Sequence, residues 1–339
     1  MIPRNAIIAA ATGATLLSGG MFFSSMLGKR TAEAPVLPLA TLHQQEQRKP
    51  VRLVFTGDVM LSRAVGAKMA QKDDFGYPAR KVSDFFKDAD IVAVNLEGPM
   101  SVLGTKVGSE YSFRMDPRSI ETLKLLNVSV ASLANNHMWD YGRDALVNTA
   151  SILNASGILS AGAGESYEAA NALRVKKARG TKFGFLSYTD LYPENLEAGT
   201  SSPGISLFDL VRVSGEIRKI KSEKRADILV VLFHWGEEYR QHPTQKQRDT
   251  AHALIDAGAD LIVGHHPHVV QDVKKYKNGW IFYSLGNFIF DQYFSEGTMK
   301  GLVVEAFAEN GKISEVKLWE SVLNKDYQIE RIEPKNLTL

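Results

Sequence analysis

Residues 264–271, "GHHPHVVQ", put three of the chain's eight histidines into four positions. Other short polar motifs follow apolar runs. "TGD" brings Asp58, "NLE" brings Asn95 and Glu97, and "ANNHMWDYG" brings Asn135, Asn136, His137 and Asp140. "HWGEE" adds His234, Glu237 and Glu238. Imidazole, carboxylate and amide donors in one set suit Zn²⁺, Mn²⁺ or Fe²⁺ better than Ca²⁺, which takes oxygen ligands. At least three histidines, two carboxylates and an asparagine could hold two ions roughly 3.5–4 Å apart, the arrangement used on phosphate esters. His137, with Asp140 three residues on, reads as an oriented imidazole serving as general acid or transition-state donor, or else as a further ligand.

Taken singly, each motif has an ordinary alternative. An Asp after a strand is often a cap or turn residue, "NNH" could be a turn, and a lone His234 could be a satisfied core histidine. The histidine string is harder to explain that way. In an extended segment residues two apart share a face, so His266 and His268 are expected to point the same way. Pro267 would hold its predecessor extended, and His265 would face away in a structural role.

The elements that must position these residues are legible as buried apolar runs. They are "VRLVF" (51–55), "IVAV" (91–94), "VSVASL" (128–133), "FGFLSY" (183–188), "DILVVLF" (227–233) and "DLIV" (260–263). Amphipathic stretches over 117–126, 144–155, 207–221 and 244–257 read as helices between them. This alternation predicts an α/β layered fold, and ligands in such sheets sit at the carboxyl ends of the strands. Beyond Trp280, "WIFYSL", "GLVVEAF" and "KISEVKLW" are strand-rich with no helix between them.

Composition narrows the chemistry. The 339 residues include no cysteine, which excludes disulfides, thiolate metal sites and a cysteine nucleophile. A formal charge of +2 gives no support for nucleic acid as a partner, and no nucleic-acid motif is present. An apolar content of 44% and a charged content of 23% are those of a globular protein.

From Asn5 to Gly28 no side chain is charged. A helix of that length, rising about 1.5 Å per residue, could cross a hydrocarbon core of roughly 30 Å. We read residues 1–30 as a retained membrane anchor, with a cleaved signal peptide as the alternative. A buried core helix is the weaker reading, because the segment lacks a polar face. Counting positive charges on either side leaves the orientation open. Residues 31–50, with three prolines, read as a linker.

Together "TGDVMLSR", "NLEGPMS", "ANNHMWDYG", "HWGEEY", "GHHPHVVQ" and "YSLGNFIFDQ" resemble the CapA/PgsA family of poly-γ-glutamate capsule-synthesis proteins, in order, across roughly residues 51–310. The resemblance implies a calcineurin-like metallophosphoesterase domain, a β-sandwich flanked by helices, and the residues beyond it, 311–339, are read as a strand-rich extension. It implies a single-pass protein of the cell membrane with its main domain extracytoplasmic. Its implied partners are an anionic envelope polymer such as poly-γ-glutamate and other membrane subunits of a capsule synthesis complex. It further implies metal ligation by Asp58, Glu97 as a bridging carboxylate, Asn136, His234, His266 and His268, with one or two Mn, Zn or Fe ions. His137 with Asp140 takes the catalytic place. Arg63, Arg114, Asn95, Ser284 and Asn287 are expected to contact substrate, with surface ion pairing the commoner fate of an arginine and a simple turn the alternative at Gly286 and Asn287.

Two departures qualify the match. Metallophosphoesterases usually begin with Asp-x-His, whereas Asp58 is followed by Val59 and Met60. Glu97 replaces the usual aspartate of the second motif. One tightly held ion and one weak one are therefore expected. Two functions stay open, a metal-dependent phosphoesterase-like enzyme and a non-catalytic polymer-binding or export subunit that keeps the cleft.

Overall fold

The computed structural model describes residues 49–336 apart from Pro193, so the anchor and most of the linker expected before Lys49 lie outside the described residues. The apolar runs become strands whose side chains alternate between two buried faces. Along the strand Val51–Val59, Leu53 and Phe55 pack with Ile91, Ala93 and Val130 from neighbouring strands and with Phe183, Phe185, Val230, Leu232 and Val263 from a second sheet. Val54, Val92, Val94 and Ala131 point the other way, onto Met69, Leu123, Leu146 and Leu153 of helices. The second sheet repeats the pattern, with Leu229, Val231 and Ile262 facing Val213, Ile217 and Leu254. Strands buried on both faces carry near-continuous apolar runs, which is why the sequence showed little polar alternation.

The result is four layers, helix, sheet, sheet, helix. The first sheet has the order Ile329–Lys335, Lys312–Leu323, Lys300–Glu309, Val51–Val59, Ile91–Leu96, Val130–Ser132, Leu159–Ala161, with Asn287–Ile289 also paired to Val51–Val59. The second runs Val273–Tyr276, Gly279–Phe282, Leu261–His265, Ile228–His234, Thr181–Thr189, Arg174–Ala178. Residues 311–336 thus continue the first sheet, pairing antiparallel outward from Lys300–Glu309.

The helices lie close to the expected stretches, at Ile120–Leu125, Gly142–Ala155, Leu210–Ser222 and Gln245–Ala257. The last begins at a Thr244–Gln247 capping box and ends at Gly258, whose φ of 118° suits the left-handed cap. Among the described residues no helix is long and apolar enough to cross a membrane.

Two local features differ from expectation. The first strand continues past Phe55 to Val59, with a register irregularity between Phe55 and Asp58, so Asp58 lies within the strand's end rather than after it. The segment after His265 is not extended: His266 and His268 have φ of 100° and 58°, both left-handed. Those conformations are uncommon without glycine, and here the turn is fixed by the His266 N–H donating to Asp58 at 3.3 Å and by Pro267 O accepting from the Tyr239 N–H at 2.8 Å.

Candidate metal centre

Parallel pairing aligns the strand ends. Asp58 is in register with Asn95 on one side and Asn287 on the other, and His265 is in register with His234 in the second sheet. The carboxyl ends of both sheets therefore open onto one place. There Asp58, Asn95, Glu97 and His234 have no exposed surface, and His268 is 2% exposed.

One amide ties the acids together. Asn95 Nδ2 donates to Asp58 Oδ1 at 2.8 Å and lies 3.3 Å from both Glu97 Oε2 and His234 Nδ1. His234 Nε2 lies 2.8 Å from Asn136 Oδ1. Across the sheets, the backbone N–H of His266 donates to Asp58 Oδ2 at 3.3 Å. His268 Nδ1 lies 2.9 Å from Asn287 Oδ1 and 3.4 Å from Asp58 Oδ2, with its Nε2 3.7 Å from Glu97 Oε1. Potential ligand atoms of Asp58, Glu97 and His234 lie within 4.8 Å of one another, as do those of Glu238, His266 and His268.

Proton affinities follow from this packing. Burial, then the negative charge of Asp58, pushes Glu97 well above the usual carboxylate range. Burial works to raise Asp58 as well, but the hydrogen bond with His268 and the charges of His265 and His268 hold it below that range. Burial and the neighbouring imidazoles push His234 well down, and burial with His268 nearby lowers His266 to about 3. Burial also lowers His268, yet the Glu97 and Asp58 carboxylates outweigh it and raise it to about 9.

His137 stands at the edge of this group. Its Nδ1 is 2.8 Å from Asp140 Oδ2, and the same oxygen accepts from the Phe113 N–H at 2.7 Å. The Phe113 ring stacks on the imidazole, with centroids 3.8 Å apart. Arg63 lies over the Phe113 ring at 5.3 Å and pairs with Asp291 at 3.1 Å, which brings a half-exposed guanidinium to the same rim. Arg114 stacks on Tyr141 at 4.2 Å and reaches the carbonyl of Gly104 at 3.5 Å.

Three residues expected to touch substrate are instead enclosed. Asn95 is engaged with the acids, while Ser284 Oγ donates to Val269 O and accepts from the Gly286 N–H. Asn287 donates to Gln292 Oε1 and Thr298 O while accepting toward His268. His265, expected to be structural, is buried with Nε2 3.1 Å from Thr56 O. His266 and His268 do converge, with ring centroids 5.9 Å apart, but through left-handed turns and not through the shared face of a strand.

Three residues were not assigned a role from sequence. Asn135 is fully buried, donates to Asn95 Oδ1 and Leu96 O, and accepts from the His137 N–H. Its only signal was membership of the "NNH" motif. Tyr192 donates its hydroxyl to Asn136 O and accepts from the Trp139 N–H, bracing the same loop. Glu238 lies beside His266 and His268, and the doubled Glu in "HWGEE" was the available signal.

The chain belongs to the bacterial capsule synthesis protein family PGA_cap, whose model matches residues 52–292. Its relatives include the capsule biosynthesis protein CapA of Bacillus anthracis, 33% identical over an alignment of 275 residues that covers 79% of this chain. The PGA biosynthesis protein CapA of Bacillus subtilis (strain 168) is 35% identical over 260 residues, 76% of this chain. The match spans 66% of the first relative's own length, just under two thirds, and 68% of the second's. Among solved structures, a hypothetical protein from Thermus thermophilus superposes with a TM-score of 0.51 at 15% identity, over 84% of this chain and 100% of that one. That likeness concerns the fold alone.

Proposed function

We propose that this chain is a membrane-anchored, extracytoplasmic, metal-dependent protein of capsule polymer synthesis or export, with a cleft of metallophosphoesterase type. One observation carries the reading: Asp58, Glu97, Asn136, His234, His266 and His268 converge from the ends of two sheets onto one buried centre. The names of the Bacillus relatives support the capsule role and poly-γ-glutamate as the polymer. Other membrane subunits of a capsule synthesis complex are the partners this role requires.

The residues fit a divalent cation. Two carboxylates sit side by side without exposure, and buried Glu97 Oε1 and His266 Nδ1 lack a hydrogen-bond partner among the described residues. Buried like charges and unpaired polar atoms are costly, and a cation relieves both. The six residues would hold one or two Mn, Zn or Fe ions. Such an ion, when bound, polarises a phosphoryl or carbonyl oxygen and activates water.

The chain's own groups supply the rest. Asp140 engages His137 Nδ1, which leaves Nε2 to carry a proton to a leaving oxygen. Arg63 offers a guanidinium to a carboxylate or phosphate at the rim. Measuring metal per chain for wild type and the His266→Ala/His268→Ala double variant tests the reading. Bound ions that fall in the variant support it, and no ion in either protein overturns it.

A second reading has its own observation in Met60, which stands where metallophosphoesterases place a histidine. A non-catalytic subunit that guides the polymer would tolerate that loss. It predicts polymer export that survives His137→Ala and fails when residues 1–30 are removed.

A further inference from the structure

Met60 contributes nothing to the centre. It is fully buried, and its sulfur accepts from both the backbone N–H and the hydroxyl of Ser62, at 3.2 and 3.0 Å. A metal site built on the Asp-x-His plan is therefore one ligand short on that side. Across the cleft the chain offers a carboxylate that the plan does not contain.

The loop Trp235–Arg240 is laid along His265–Gln271 in fixed register. The Trp235 N–H donates to His265 O at 3.1 Å, the Tyr239 N–H to Pro267 O at 2.8 Å, and the Gln271 side-chain amide to Arg240 O at 2.9 Å. Left-handed backbone at Gly236 and Tyr239, with φ of 91° and 63°, turns the loop between these contacts. The two glutamates then separate. Glu237 pairs with Arg240 at 2.8 Å, whereas a Glu238 carboxylate oxygen comes within 4.8 Å of ring nitrogens of both His266 and His268. His266 is only 6% exposed, and its Nδ1 is buried without a partner among the described residues. A buried polar atom is costly to leave without a partner.

We propose that Glu238 is a metal ligand, forming with His266 and His268 a second divalent-cation site beside Asp58, Glu97 and His234. Two imidazoles and a carboxylate suit Mn²⁺, Zn²⁺ or Fe²⁺. Glu238 is exposed at the mouth, so this ion is the one that exchanges with solvent. The inference rests on the metal-centre reading above and adds Glu238 to its ligands.

The test is titration of the purified, chelator-stripped full chain with Mn²⁺, read by calorimetry and by electron paramagnetic resonance. Wild type is expected to bind two ions with a spin-coupled signal. Glu238→Gln should keep one tight ion, weaken the second by about 10- to 100-fold, and give an uncoupled signal. Glu237→Gln, which alters the neighbouring carboxylate, should behave as wild type. Because Glu238 is exposed, unchanged melting of the metal-free variant serves as the folding control. Two ions bound to Glu238→Gln with wild-type affinity would overturn this inference and leave the metal centre standing. One ion only in wild type also overturns it, and no ion in wild type overturns both readings.

Discussion

Asn95 donates its side-chain amide to Asp58 at 2.8 Å across two parallel strands that hold the residues in register. The same nitrogen lies 3.3 Å from Glu97, so one neutral donor separates two enclosed acids. Removing it leaves both acids facing each other with a lost hydrogen bond. Asn95→Ala should therefore destabilise the metal-free protein by about 1–3 kcal/mol. Saturating Mn²⁺ should recover part of that loss, because a cation then shields the acids. Urea unfolding with chelator and with Mn²⁺ measures both. Equal losses in the two conditions would mean that Asn95 acts by packing alone.

Proton linkage supplies a second prediction. His268 is raised to about 9 in the folded metal-free protein against 6.5 for the free side chain, so its stabilising contribution is full below pH 6.5 and lost as pH rises through 9. His266, held at about 3, works in the opposite direction: its contribution is present above pH 6.5 and lost as pH falls. Metal-free stability should fall on both sides of about pH 6.5, and His268→Ala should flatten the alkaline limb. Ligation requires neutral imidazole, so Mn²⁺ binding near pH 7.5 should release at least one proton. Calorimetry in buffers of different ionisation enthalpy detects that release. A binding enthalpy independent of buffer would remove His268 from the ligand set.

Much of this architecture was legible because fully buried strands announce themselves as apolar runs, and polar residues at their ends mark the carboxyl edge. "DILVVLF" and "DLIV" became the adjacent strands Ile228–His234 and Leu261–His265, with His234 and His265 in register. What stayed hidden was set by contacts distant in sequence. No local signal marks His266 and His268 for left-handed backbone, since neither is glycine. The doubled glutamate of "HWGEE" does not say which carboxylate faces the histidines. That choice depends on the hydrogen bond from Tyr239 to Pro267. Asn95 read as a substrate contact because its enclosure depends on two strands closing over it.

Gly57 tests how tightly the metal edge is built. A Cβ placed there would lie 2.0 Å from the carbonyl oxygen of Gly286, and the neighbouring Asp58 N–H donates to that same oxygen at 2.9 Å. Backbone cannot yield as a side chain tip does. Gly57→Ala should cost at least about 1–3 kcal/mol and displace Asp58. Thermal melting should drop, and Mn²⁺ affinity should drop with it. Unchanged melting would show that the Leu285–Gly286 turn moves freely.

Arg63 should govern affinity for an anionic ligand more than any chemical step. Its guanidinium lies over Phe113 and pairs with Asp291, yet remains partly exposed. A charge-assisted hydrogen bond contributes roughly 1.5–3 kcal/mol, which corresponds to about 10- to 100-fold in binding. Arg63→Ala should weaken binding of poly-γ-glutamate fragments by that factor, with metal content unchanged. Arg63→Lys should recover charge but little affinity, since a bidentate fork is lost. Wild-type binding by Arg63→Ala would place the polymer elsewhere.

His137 and Asp140 separate the enzyme from the binding subunit. Asp140 accepts from the Phe113 N–H, bonds the Ser109 hydroxyl at 3.2 Å and engages His137 Nδ1, so the imidazole is held in one orientation against the Phe113 ring. General acid catalysis by a positioned side chain is worth typically 10²–10⁴-fold. If the cleft turns over a nitrophenyl phosphate diester in the presence of Mn²⁺, His137→Ala should lower kcat by about that factor and leave the number of bound ions unchanged. Asp140→Asn should also lower kcat, because the carboxylate that fixes the Nδ1–H form becomes an amide. An ion lost in His137→Ala would identify the residue as a ligand. Hydrolysis that survives both substitutions would assign the proton to another group, and polymer export that survives both would favour the subunit that binds without catalysing.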